Sequence, residues 1–213
     1  MNTKKILRIG LTGGIACGKS EVEKCWRWLG AKVVDLDGMA HNAMENCAIA
    51  DQIVEAFGTK IATQEHGFNH IDRKRLAKIV FKDPKKLKQL EAIIHPLVHL
   101  RWMETVAHAA GKEAAIVISH PLLYEHKHAD KFDTVIVVGC TPETQIERMV
   151  ANRGLTIKEA KLRLKAQLPI EFKLQAANQI IWNEGSVDEL WKSASSVWIG
   201  LQNLAVFKSR TAR

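Results

Sequence analysis

Apolar residues along this chain fall into two kinds of run. Short, nearly continuous stretches rich in β-branched residues occupy positions 6–12, 32–35, 114–119, 134–138 and 180–183. They lack in–out alternation, which is the pattern of strands buried on both faces. Between them, apolar residues recur at three- and four-residue spacing, the signature of helices with one buried face. Strand and helix patterns alternate, which predicts an α/β fold with a five-stranded parallel sheet flanked by helices.

Two segments are too long to be simple crossovers. Positions 38–112 predict a mostly helical insertion, with helices over 38–46, 48–57, 73–81, 84–94 and 96–110. Asp83-Pro84 and His95-Pro96 punctuate it, because proline suits a first helical turn. Phe57-Gly58 and His66-Gly67 mark a loop or hairpin between helices. This insertion is read as the place for a second substrate. Positions 142–178 form a second helical excursion, opened by Thr141-Pro142-Glu143 and carrying Arg148, Arg153 and Arg163. An arginine-bearing excursion after a strand suits a closing lid. The tail, 187–204, reads as an amphipathic packing helix with Leu190, Trp191, Val197, Trp198 and Leu201. The 213 residues thus read as one domain: core 1–37, 113–141 and 179–213, insertion 38–112, lid 142–178.

The first strand runs straight into Gly13-Gly14-Ile15-Ala16-Cys17-Gly18-Lys19-Ser20, followed by a helix over 20–29 that Gly30 ends. The pattern is G-x-x-x-x-G-K-S, a phosphate-binding loop. Glycines let successive backbone N–H groups point inward at phosphate oxygens. Lys19 supplies a compact charge for the terminal phosphates, the Ser20 hydroxyl suits a Mg²⁺ ligand, and the helix start adds its positive end. A dinucleotide fingerprint needs glycine at position 15, where Ile15 stands, and gives Lys19-Ser20 no role.

Composition narrows the partners. A net charge of +8 favours polyanionic ligands. The charge is spread over 82–86, 158–165 and 208–213, with no aromatic-interleaved stripe, so phosphorylated small molecules are expected rather than nucleic acid. No apolar run reaches the length of a membrane span, and Arg8 and the glycines interrupt the N-terminal apolar stretch, so neither a span nor a signal segment is expected. Cys17, Cys25, Cys47 and Cys140 form no C-x-x-C pair and read as reduced thiols of a cytoplasmic protein. Cys17 lies inside the phosphate loop, so its alkylation is expected to block nucleotide binding.

The second strand ends in Asp35-Leu36-Asp37. In extended chain, carboxylates at i and i+2 face the same side, and ligands bind beyond the carboxyl ends of such strands. One is expected to accept the proton of an attacking hydroxyl, with Asp37 the favoured base, and one to orient Mg²⁺ or its waters. The third strand ends in Ser119-His120-Pro121-Leu122-Leu123-Tyr124-Glu125, with no acidic residue at its tip, which argues against a GTPase or motor ATPase. His120 is near the site by position, and Glu125 is either structural or in touch with substrate. The other eight histidines show no metal-ligand spacing. Arg148 and Arg153 are expected to neutralise charge on the moving phosphate alongside Lys19. The residues alone leave open a nucleoside or nucleotide kinase, and a nucleotide-dependent nucleic-acid-binding protein.

With these residues in place, the chain resembles the dephospho-coenzyme A kinases over nearly its whole length. The resemblance is carried by Gly10 to Ile15 with Gly18-Lys19-Ser20, by Val34-Asp35-Leu36-Asp37 and Ala40, and by Asp72-Arg73, Val80-Phe81 and His95-Pro96. It continues through Pro121-Leu122-Leu123-Tyr124-Glu125, Arg148 with Arg153, Ala166-Gln167 and Asn183-Glu184-Gly185. It implies a P-loop core, ATP as co-substrate with Mg²⁺, and dephospho-coenzyme A as acceptor. It implies that Asp37, Lys19 and Arg148 are catalytic and that the loop Gly13 to Ser20, Arg148, Arg153, Asn183 and Gly185 hold the nucleotide, with Asn183 and Gly185 near the adenine. Asp37, Arg73, His95, Leu122 and Glu125 are implied on the acceptor side. A monomer or weak homo-oligomer is expected. The chain departs from the family at Ala16-Cys17, Glu21, Asn178-Gln179 and Trp182, none of which removes a catalytic group.

Overall fold

The computed structural model describes residues 6–80, 83–109 and 113–211. In chain order the elements begin β1 (Leu7–Gly13), α1 (Lys19–Trp28), β2 (Val33–Asp35), α2 (Leu36–Ala43) and α3 (Cys47–Phe57). Next come β3 (Ala62–Glu65), β4 (Phe68–Ile71), α4 (Arg73–Val80), α5 (Pro84–Ala109), β5 (Ala115–Ser119) and β6 (Thr134–Gly139). The chain closes with α6 (Pro142–Arg153), α7 (Ile157–Lys165), α8 (Ile170–Ala176), β7 (Gln179–Trp182) and α9 (Val187–Thr211). Two compact units result: Met1–Asp35 with Val106–Arg213, and Leu36–Thr105.

The first unit is built on the expected five-stranded parallel sheet, in the order β2-β5-β1-β6-β7. β1 sits in the middle, with Ile9 in register with Val117 on one side and Thr134 on the other. β5 and β6 are buried along their whole length, as their β-branched runs require. α1 and α9 pack together. There the Trp26 indole donates to the Ala194 carbonyl at 2.8 Å, with the Trp26 and Trp198 rings 5.8 Å apart. Arg8, the charge inside β1, is held by Asp133, which accepts from its backbone N–H at 2.8 Å and its Nε at 3.3 Å. β7 departs from expectation: Gln179, Ile180 and Trp182 are exposed and only Ile181 of the strand is buried. An edge strand has one neighbour, so its apolar run need not be covered on both faces.

The second unit has its own core, formed by Ala43, Ile49, Ile53, Ile61, Leu76, Val80 and Ile94. Asn46 caps α3 by accepting from the Ile49 N–H. The punctuation at His66-Gly67 becomes a hairpin: both residues have positive φ, 51° and 82°, the geometry of a tight two-residue turn between β3 and β4. The two helices expected on either side of His95-Pro96 are one continuous helix, α5, with Pro96 inside it. Its apolar stripe, Leu87, Leu90, Ile94 and Leu97, runs unbroken past the proline onto the core. Pro96 has no N–H to offer the carbonyl of Ala92, which is an exposed residue of the helix. The helix ends expected at Phe81 and Ala110, and the family-like pair Val80-Phe81 in part, lie outside the described residues. Among the described residues, no helix is long and apolar enough to cross a membrane.

Candidate active site

The phosphate loop joins β1 to α1, and its geometry follows from its small residues. Gly18 takes φ 95° and leads into the first turn of α1, while Ala16 takes φ 61°, a left-handed conformation rare for a residue with a Cβ. A Cβ on Gly13 would come within 2.5 Å of the Val138 carbonyl, so glycine there lets β1 and β6 approach as the chain turns. Side chains from several other elements brace the loop. The Gln145 amide, from α6, donates to the Ile15 carbonyl at 2.7 Å, and Gln167 accepts from the Ile15 N–H at 3.0 Å. Asn183, just past β7, donates to the Cys17 carbonyl at 2.9 Å. Arg148 Nη2 donates to the Asn183 carbonyl at 3.0 Å, and its Nη1 is buried with no protein partner.

Lys19 stands at the start of α1, where the helix dipole already favours anions. Its ammonium donates to Glu23 Oε1 at 2.7 Å and to the Ser119 hydroxyl at 2.5 Å, and that hydroxyl donates to the same Glu23 oxygen at 2.6 Å. Arg27 reaches the other Glu23 oxygen at 3.2 Å. Burial pushes the Glu23 carboxyl up, but the hydrogen bonds from Lys19 and Ser119 outweigh it and hold the group below the usual carboxylate range. Glu23 and Ser119 were not singled out as site residues from the sequence. The i, i+4 spacing of Lys19 and Glu23 on one helix was the available signal. No local pattern announces Ser119, which meets α1 only because β5 lies beside β1.

Cys17 is buried against Cys140 at the end of β6, with the sulfurs 3.4 Å apart. The Cys140 thiol donating to it holds Cys17 below the ordinary thiol range, and the same contact together with burial drives Cys140 well above it. Ser20 is exposed in the first turn of α1, and its hydroxyl is the oxygen type that Mg²⁺ takes. Glu21 faces solvent and pairs with Lys24 at 2.6 Å, away from the buried Lys19–Glu23 contact. Asn178 accepts from the Val135 N–H at 2.7 Å and so pins the start of β7 to β6.

The remaining site candidates divide by element. Asp35 ends β2, whereas Asp37 is the second residue of α2. The extended-chain argument for their sharing a side therefore does not apply, because the helix begins at Leu36 directly after the strand. Arg73 opens α4 and pairs with Glu45 at 3.3 Å, both well exposed, a contact worth little. His95 lies in the middle of α5, its ring centroid 6.1 Å from that of His99. Leu122 is half-buried after β5. Glu125 Oε1 is engaged by Lys173 at 2.7 Å and the Leu168 N–H at 3.1 Å, which makes the residue structural at that oxygen, while its Oε2 is buried without a protein partner. Arg153 is exposed at the end of α6, and Gly185 lies where a Cβ would strike the Glu189 carboxylate. The sequence showed no metal-ligand spacing among the histidines, yet His126 and His128 come together with His120 after β5.

A parallel α/β sheet with a G-x-x-x-x-G-K-S loop between its central strand and first helix defines a P-loop kinase. The comparisons with known proteins agree and go further. The family model described as dephospho-CoA kinase matches residues 7–189, most of the chain. A dephospho-CoA kinase of Thermobifida fusca is 42% identical over 200 residues, which are 92% of this chain and 97% of that protein. Solved structures are similar as well. TT1252 from Thermus thermophilus has a TM-score of 0.80 at 32% identity and covers 93% of this chain and 99% of its own. Dephospho-CoA kinase from Campylobacter jejuni has a TM-score of 0.65 at 28% identity and covers 92% and 97%. The chain belongs to the dephospho-CoA kinase family.

Proposed function

We propose that the protein transfers the γ-phosphate of ATP to the ribose 3′-hydroxyl of dephospho-coenzyme A, giving coenzyme A and ADP. The observation that carries the reading is the intact phosphate loop, Gly13 to Ser20, inside a family match spanning residues 7–189. Backbone N–H groups of the loop and the Lys19 ammonium cradle the β- and γ-phosphates. Arg148, whose Nη1 has no protein partner, neutralises charge on the moving phosphoryl group, with Arg153 joining it from the far end of α6. Asn183 and Gly185 sit on the adenine side.

Asp37 takes the proton of the acceptor hydroxyl. Arg73, His95, Leu122 and Glu125 serve the acceptor, with positions 38–112 as its subdomain and 142–178 as the lid. Mg²⁺ would be held by Ser20 together with phosphate oxygens and water, and when bound it offsets the charge of the terminal phosphates.

The test is ADP release with Mg-ATP, with and without dephospho-coenzyme A, beside a panel of nucleosides and nucleoside monophosphates. Stimulation by dephospho-coenzyme A alone, with one added phosphate by mass spectrometry, is the expected result. Stimulation only by another acceptor would remove the substrate assignment while leaving the kinase. Asp37→Asn is expected to fold and to keep its ATP affinity while losing turnover. An Asp37→Asn enzyme with unimpaired turnover removes the base assignment.

A further inference from the structure

The loop after β5 gathers three imidazoles. His120, His126 and His128 each place a ring nitrogen so that the three atoms lie within 4.8 Å of one another. His120 Nε2 and His128 Nδ1 are 3.1 Å apart, and the three ring centroids are separated by 5.3, 5.3 and 5.7 Å. Zinc-to-imidazole bonds of about 2.0–2.1 Å in a tetrahedron place ligand nitrogens roughly 3.3–3.4 Å apart. One pair already stands near that spacing, and the exposed His126 completes the group.

The backbone holds this arrangement in place. His126, Lys127 and His128 donate through their N–H groups to the carbonyls of Leu122, Tyr124 and Leu123, each at 3.0 Å. Lys127, between two of the histidines, has φ 56°, left-handed backbone for a long side chain. Strain of that kind, roughly 1–3 kcal/mol, persists where surrounding structure imposes it, and such residues cluster at functional sites. The ring of His120 is buried, and its Nδ1 has no hydrogen-bond partner.

We propose that His120, His126 and His128 form a site for a divalent transition ion of the zinc class, with a fourth position open to water. The site is distinct from that of the phosphoryl-transfer cation, because Mg²⁺ takes oxygen ligands and imidazole suits zinc, cobalt, nickel and copper. A bound ion ties the tip of β5, one residue beyond the Ser119 that receives Lys19, to the loop that follows it.

The test uses the full chain, stripped with a chelator and dialysed against zinc chloride, with bound metal counted by mass spectrometry. Cobalt chloride is the optical probe. One equivalent of zinc is expected, with a cobalt spectrum of four-coordinate nitrogen and oxygen ligation. His126→Ala and His128→Ala, changes at an exposed and a half-buried position, are each expected to weaken binding about 100-fold or more while leaving the circular dichroism unchanged. Binding well below one equivalent overturns the proposal, as does equally tight binding by the His126→Ala/His128→Ala double variant. A cobalt spectrum with sulfur charge-transfer bands also overturns it, because the ion then sits on cysteine.

Discussion

Replacing Glu23 by glutamine tests whether the buried contact beneath the phosphate loop is an ion pair that stabilises the fold. The side chain of Glu23 is 8% exposed and that of Lys19 is 16% exposed, and they meet at 2.7 Å with Ser119 bonded to both. Glutamine keeps the shape and one acceptor oxygen for Ser119, so the change removes mainly the charge. Hydrogen bonds to charged groups contribute about 1.5–3 kcal/mol, and breaking a fully buried pair costs about 3–5 kcal/mol. Lys19 retains Ser119 and some water, which points to a loss of about 2 kcal/mol. The Arg27 contact adds little, since that side chain is 44% exposed. For a chain of this length, 2 kcal/mol lowers Tm by about 4–8 °C.

The sign of the pH dependence follows from the direction of the shift. Glu23 is held below its ordinary range when folded, so its contribution is complete above the unfolded value, about 4.3, and is lost as pH falls through the folded value. Thermal unfolding of the native chain and Glu23→Gln, followed by circular dichroism from neutral pH to about pH 3, should show a gap that is full at pH 7 and closes at the acid end. Equal Tm values at pH 7, or a gap that stays constant as pH falls, would refute the ion-pair account.

Three further outcomes are expected. Lys19→Ala should lower kcat/KM at least about 100-fold, a loss of about 2.7 kcal/mol of transition-state stabilisation, in steady-state ADP release; a change under tenfold would contradict the role of Lys19. Gly13→Ala places a Cβ 2.5 Å from a backbone carbonyl that cannot rotate away, so it should cost about 1–3 kcal/mol, and an unchanged Tm by differential scanning fluorimetry would count against it. Iodoacetamide should label exposed Cys47 first, and buried Cys17, Cys25 and Cys140 only slowly, as peptide mass spectrometry will read. Cys17 labelling as fast as Cys47 would show that the loop opens readily. Any block of nucleotide binding by alkylation is therefore expected to follow the slow phase.

Features set within a few neighbouring residues were legible in the chain. Strand and helix positions follow from periodicity and from β-branched runs, so β1, β5, β6 and α1 fall within about a residue of their expected bounds. The phosphate loop was legible for the same reason, because its glycines, Lys19 and Ser20 act through the backbone they themselves bend. His66-Gly67 was read as a loop or hairpin, and the positive φ of both residues makes it the hairpin.

What needed the folded chain is whatever depends on which distant segments become neighbours. Strand order left β7 at an edge and exposed three of its four residues, although its sequence looks like that of an interior strand. Packing of the stripe through Leu90, Ile94 and Leu97 carried α5 past Pro96, where local preference ends a helix. The Lys19, Glu23 and Ser119 contact joins residues up to 100 positions apart, and Gln145, Gln167 and Asn183 reach the phosphate loop from more than 100 positions away. Even the three histidines, close in sequence, converge only because the backbone turns at Lys127. Periodicity and propensity act through dihedral angles over a turn or two of chain, whereas a site's side chains are brought together by sheet order and loop closure, which no short stretch of sequence encodes.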